Sequence, residues 1–477
     1  MRESTRNHPL RDELRATLRL AGPLALANML QMAVFAVDVI FVARLGQEAL
    51  AASSLAVAII AVVMMGLNGV TGAVAPLIAA EIGRKRNSVR EVRRSVRMAL
   101  WLAIALGLGA VMICFFGEWI MLLTGQNPRV SALAGHFIRV ASLALVPMAI
   151  ANVLRTFVSA LGRPMFATVI TALSILVNVL GNYALVFGNL GMPALGLTGS
   201  ALASAITTST TALAYVAVIR ANRNFRRYHI FGRFWRPEWQ RLVQMLRLGL
   251  PISATLIAEG GLFSGAAFLM GLVGETELAA HTVALQIAAF AFQVPFGIGQ
   301  AATIRVGYHY GAGNRAAIGH AGWAALGIGI AFVCLSALAM LAIPRTIIAA
   351  YVDISDPANA AMVVLAVKYL FVAAVFQLTD GIQAIAAGVL RGVQDTRIPA
   401  VIAIVGYWLA GFATSVALGL FTSLRGVGVW IGLAVGLTVA AILLLGRWHW
   451  RGRFGLVPEQ PAPISATAAS APVASLS

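Results

Sequence analysis

Charge is scarce in this 477-residue sequence: Asp, Glu, Lys and Arg make up 11% of it, against about 25% in an ordinary soluble protein. A soluble chain of this size needs amphipathic helices with a polar outer face, and few segments here have one. Lysine is nearly absent. Neither Lys85 nor Lys368 follows a glycine in a phosphate-loop pattern, which excludes an ATP site of that type and argues against primary active transport by this chain alone. The two cysteines, Cys114 and Cys334, fall inside apolar stretches. They make no disulfide framework and read as packing thiols. The seven histidines show no HExxH or other metal-ligand spacing, and there is no GxSxG elbow. Neither an enzyme nor a cofactor is expected. Met1–Arg15 is polar and basic without a small-residue cleavage site, so it does not read as a removable signal peptide.

What is abundant is apolar length. Hydrophobic residues make up 60% of the chain, and runs of 18 or more recur, each able to cross a hydrocarbon core roughly 30 Å thick. We read twelve spans, near 17–43, 49–82, 97–117, 132–160, 165–188, 199–220, 243–272, 277–310, 318–343, 360–390, 399–421 and 427–446. The net charge of +18, with 33 arginines among 35 basic residues, clusters between spans at Arg84–Arg97 and Arg220–Arg241. That placement follows the positive-inside rule rather than a nucleic-acid interface. It puts both termini in the cytoplasm, and the Arg- and Ala-rich bias fits a bacterial inner membrane. The expected organisation is an N-terminal segment (1–16), a first lobe (17–220), a basic linker (221–242), a second lobe (243–446) and a tail (447–477). The Ala-, Pro- and Ser-rich end of the tail reads as disordered.

The two lobes are related in sequence. Leu18-Arg19-Leu20 and Pro23 reappear 228 residues later as Leu246-Arg247-Leu248 and Pro251. The same offset pairs Gly46 with Gly274, Leu50-Ala51-Ala52 with Leu278-Ala279-Ala280, Gly69 with Gly297, and Gly83 with Gly311. Six spans per lobe give both lobes one orientation. The expected fold is therefore all-α, two parallel six-helix repeats, an arrangement seen in secondary transporters.

A carboxylate at the bilayer centre costs at least ~2.5 kcal/mol on insertion scales. Of 17 acids, three fall deep in spans: Asp38 in the first, Glu259 in the seventh and Asp380 in the tenth. We expect them to bind a cation and line a polar cavity. The repeat pairs Glu259 with Gln31 and Asp38 with Ala266, so the acids are not shared symmetrically. Asn178 and Asn182 stand four apart on one helix face, as a polar wall near Asp38 or a helix–helix bond. Gln377, Asp380 and Gln383 share a face of the tenth span, and Gln286 is a further cavity candidate. Arg305 is expected to snorkel to the interface. The helical arginines Arg139, Arg155 and Arg305 are few and mostly near span ends.

Several segments together resemble the multidrug and toxic compound extrusion (MATE) transporters, in their NorM-like branch, over about residues 14–446. They are Asp38-Val39-Ile40-Phe41-Val42-Ala43-Arg44-Leu45-Gly46, Asn182-Tyr183-Ala184-Leu185-Val186-Phe187-Gly188 with Gly191-Met192-Pro193, Leu390-Arg391-Gly392-Val393-Gln394-Asp395-Thr396-Arg397-Ile398-Pro399, and Gly426-Val427-Gly428-Val429-Trp430. The resemblance implies two six-helix bundles around a central cleft, with alternating access and efflux of small-molecule cationic drugs in exchange for Na⁺ or H⁺; the lipid bilayer is the other expected partner, and the chain is expected to act as a monomer. It gives Asp38, Glu259 and Asp380 the coupling role, with Glu259 and Asp380 holding Na⁺ in a sodium-coupled member. One departure is Phe376, a turn before Asp380, where some sodium-coupled members carry tyrosine. A flippase for lipid-linked or other amphiphiles is the alternative; it calls for several arginines in the cavity.

Overall fold

The computed structural model describes residues 9–84, 88–123, 125, 127–232 and 234–457. The start of the expected N-terminal segment, part of the first arginine cluster and the end of the tail, which the sequence reading expects to be disordered, lie outside them. Twelve helices are long and apolar enough to cross a membrane: α1 Leu10–Ala43, α2 Gln47–Arg84, α3 Ser88–Phe115, α4 Pro128–Ala160, α5 Met165–Phe187, α6 Gly196–Ala221, α7 Trp239–Val273, α8 Glu275–Gly311, α9 Arg315–Ala342, α10 Pro357–Gly392, α11 Arg397–Phe421 and α12 Arg425–His449. Several run past the spans read from hydropathy. The added turns carry charged residues at one end of the bundle, termed the basic end below.

Each half packs mainly within itself: α1 on α5, α5 on α6 and α3 on α4 in one, α8 on α10 and α10 on α12 in the other. The halves meet through α1 against α8 and α7 against α2, two crossings that the repeat exchanges. Their apolar core is shared only at the basic end, where Leu20, Leu77 and Ile78 join one cluster with Val306, Leu390 and Val457. Away from that end the core divides. One cluster, including Ala56, Cys114 and Leu145, belongs to the first half, and another, including Leu262, Tyr369 and Trp430, to the second. Two halves fused at one end and separate at the other enclose a central cleft. Leu176, Phe268, Leu338 and Leu409 are exposed on the outside of the bundle, as a lipid-facing surface requires.

Ion pairs reinforce the basic end. Glu13 of α1 bonds Arg305 of α8 at 2.5 Å and His309 at 2.7 Å. Arg305 is thus a bridge between halves rather than a side chain reaching for the interface. Arg241 of α7 meets Glu81 of α2 at 3.1 Å and Glu91 of α3 at 2.5 Å. Glu238, just before α7, pairs with Arg94 and Arg97 of α3. Asp395, in the α10–α11 connection, binds Arg447 of α12 at 2.5 Å.

Candidate functional site

Asp38 sits on α1, where every neighbouring side chain in sequence is apolar, and its partners come from other helices. Its Oδ1 accepts hydrogen bonds from Asn178 Nδ2 at 2.9 Å and Asn182 Nδ2 at 2.8 Å on α5. Its Oδ2 accepts one from Ser204 Oγ on α6 at 2.7 Å. The four-residue spacing of the asparagines places both amides on one side of α5, and both are fully buried. Ser204 is a partner that the sequence did not mark, one hydroxyl among the many along α6.

The second polar cluster lies wholly within the other half. Asp380 and Gln377 on α10 are 3% and 0% exposed. Asp380 Oδ1 and both amide atoms of Gln377 have no hydrogen-bond partner among the described residues. Glu259 on α7 lies within electrostatic range of Asp380, and Tyr407 on α11 within range of both. The Tyr407 hydroxyl is also buried without a partner. Tyr407 belongs to a π-helical stretch, Val405–Phe412, inside α11; such stretches appear often at functional sites. Phe376, fully buried, packs edge-on against Phe263 and Trp430, so its ring is part of the apolar wall. No group of three or more His, Cys, Asp or Glu suited to a metal occurs among the described residues. A cation here would therefore draw on Glu259, Asp380, the Gln377 carbonyl and the Tyr407 hydroxyl, a hard-oxygen set of the type that alkali and alkaline-earth ions prefer.

Asp38 faces a cavity of about 620 Å³, within the range of drug-sized sites. On α1 it is lined from Leu24 past Asn28 and Gln31 to Asp38, roughly 20 Å of helix axis at 1.5 Å per residue. Gln293 and Gln300 of α8 face it from the other half. Of the sequence candidates, Asp38 and Gln31 line this cavity, and Asn178 and Asn182 stand behind Asp38. Glu259, Gln377 and Asp380 form the separate cluster, and Gln286 is exposed without lining the cavity. Arg155 on α4 and Arg391 in the last turn of α10 both line the cavity.

Two fused six-helix halves around a polar cleft define a multi-pass membrane protein with the architecture of a secondary transporter. Residues 23–184 and 251–416 each match the MatE family, and the two matches begin at the prolines that the internal repeat pairs. The chain belongs to this family. It is 44% identical over 443 residues to a "Probable multidrug resistance protein NorM" of Mesorhizobium japonicum, covering 93% of this chain and 95% of that protein. It is 41% identical over 437 residues to the protein of the same name from Brucella suis, covering 92% and 93%. A solved structure described as the outward-facing conformation of a multidrug resistance MATE family transporter of the MOP superfamily shares the fold. Its TM-score is 0.83 at 20% identity, over 96% of this chain and all of that one.

Proposed function

We propose that the chain is a secondary antiporter that exports organic cations and drugs by alternating access, in exchange for Na⁺ or H⁺. The observation that most supports this is the group of buried oxygens near Glu259, namely Asp380 Oδ1, Gln377 Oε1 and the Tyr407 hydroxyl, which have no hydrogen-bond partner among the described residues. Burying a carboxyl without full hydrogen bonding is costly, and a proton or metal cation offsets that cost. Asp38 is a second acid, in the opposite half and facing the cavity, where a cationic substrate competes for negative charge. Coupling follows when ion and substrate favour opposite arrangements of the halves. The names of the relatives fit this reading.

In this reading the basic end is cytoplasmic, both termini are inside, and the protein works as a monomer in a bacterial inner membrane. The arrangement described above, fused at the basic end, is the one loaded and released from outside. The test is efflux of a fluorescent cation from proteoliposomes under Na⁺ and H⁺ gradients imposed separately. Glu259→Gln and Asp380→Asn are each expected to abolish gradient-driven efflux while the protein remains folded and inserted. Unchanged efflux kinetics in both variants would sink the assignment.

A further inference from the structure

Arg94 and Arg97 meet at the basic end over a shared acid, Glu238. Arg315 and Arg451 also meet there, with no carboxylate between them among the described residues. Arg315 opens α9, and Arg451 stands two residues past the end of α12. The two elements adjoin. A Cβ built on Gly322 of α9 would lie 2.2 Å from Trp448 Cζ2 of α12, and the Trp323 and His449 rings meet edge-on at 6.4 Å. The arginines cross this seam in opposite directions. Arg315 Nη2 lies 2.5 Å from the Cβ position of Gly452, the residue after Arg451. Arg451 Nη2 lies 2.7 Å from that of Gly319, one turn along α9 from Arg315. Glycine at both places leaves room for the guanidiniums.

Arg451 is held in position. Its guanidinium stacks over the Trp448 ring at 4.5 Å, and its Nη1 donates to the Trp448 carbonyl at 3.1 Å. A guanidinium offers five N–H donors, and no other described residue accepts a hydrogen bond from Arg451. Arg315 has neither an acceptor nor an acid partner among the described residues. Burial lowers the pKa of Arg451 from the usual arginine value, and the like charge of Arg315 lowers it further, so the two are close enough to repel. Like charges held together with free donors favour an anion between them. The surroundings indicate which kind. Trp323 and Trp450 flank the pair and are exposed, and tryptophans at span ends mark the level of the lipid headgroups. Basic pockets between helices at that level take lipid phosphate.

We propose that Arg315 and Arg451 bind the phosphodiester of one anionic phospholipid of the phosphatidylglycerol type, where the start of α9 meets the end of α12. The two unesterified oxygens of the phosphate accept from the two guanidiniums. Phosphatidylcholine presents the same phosphate beside a quaternary ammonium, which the pair repels.

Native mass spectrometry counts the bound lipids when the purified full-length chain is titrated in micelles with dioleoylphosphatidylglycerol or dioleoylphosphatidylcholine. The unaltered chain is expected to hold its first phosphatidylglycerol about tenfold more tightly than its first phosphatidylcholine, the value of one charge-assisted hydrogen bond. Arg315→Gln and Arg451→Gln are each expected to bring that ratio towards one. Arg223→Gln removes the same charge from another exposed position at the basic end and is expected to leave the ratio unchanged. Equal affinities in the unaltered chain overturn the proposal, and so does a preference that survives both substitutions. A loss as large in Arg223→Gln assigns the preference to overall charge and overturns it. Displacement of the lipid by inorganic phosphate makes a free anion the ligand, which overturns it too. A preference seen only in Glu459→Gln gives the pair to that acid of the tail, outside the described residues, and likewise overturns it.

Discussion

At the scale of single residues, the informative atoms are those left without partners. An unsatisfied buried polar atom costs about 1–3 kcal/mol, and the second half concentrates several around Asp380. Tyr407 tests what they are for. Were its hydroxyl only packed, Tyr407→Phe would leave stability equal or raise it by about 1 kcal/mol and leave transport unchanged. As a cation ligand, its removal weakens ion binding. The expected result is an unchanged or higher unfolding temperature in ion-free buffer, with roughly tenfold more coupling cation needed for half-maximal exchange, the loss of one good ligand contact. Thermal unfolding and ion-titrated dye exchange, run on one preparation, read both quantities. The acids of both clusters were legible in the sequence because a carboxylate inside an apolar run has few innocent explanations. Tyr407 and Ser204 were not, since phenols and hydroxyls are ordinary in spans and only their neighbours single them out. Arg155 and Arg391 lie near the ends of α4 and α10, and only the structure shows that both line the cavity.

At the scale of elements, hydropathy located all twelve helices but truncated several of them. Turns carrying Glu13 and Arg241 fell outside the spans because charge ends an apolar run, whereas in the structure those turns are helical and their charges lie where the halves join. Glu13 is the acid shared by Arg305 and His309 across the α1–α8 crossing. Removing one member of such a pair strands the other, and side chains only 11–14% exposed place the cost towards the range of a buried pair, about 3–5 kcal/mol. That cost falls on the arrangement in which the basic ends touch and spares one in which they part. Glu13→Gln is therefore expected to lengthen the distance between spin labels at the basic ends of α1 and α8, in the absence of ligand. An unaltered distance distribution would show the trio to be structural decoration rather than a latch.

At the scale of the whole molecule, the glycines that betray the repeat are also the points where the halves touch. A Cβ built on Gly69 of α2 would lie 2.4 Å from Ser253 Cα of α7, and one on Gly297 of α8 would lie 2.7 Å from the Ala25 nitrogen of α1. The 228-residue offset carries Gly69 to Gly297 and Ala25 to Ser253, so these are two copies of one contact. Gly83 and Gly311 form a third crossing, each with a Cβ position 1.9 Å from a carbonyl oxygen of the opposite half. Backbone cannot rotate aside as a side chain can, so a larger residue at either copy must push the halves apart at the basic end. Gly69→Val and Gly297→Val are expected to act alike. With Cys114 and Cys334 replaced and a cysteine introduced at Ala75, which lines the cavity, each variant should raise the rate of labelling by an impermeant maleimide added from the basic side. Gly327→Ala, whose Cβ would meet nothing within 4 Å, is the control and should leave the rate unchanged. If only one of the two valine variants opens the basic end, the halves do not pivot as equivalent bodies, and alternating access would have to arise from bending of individual helices in one half.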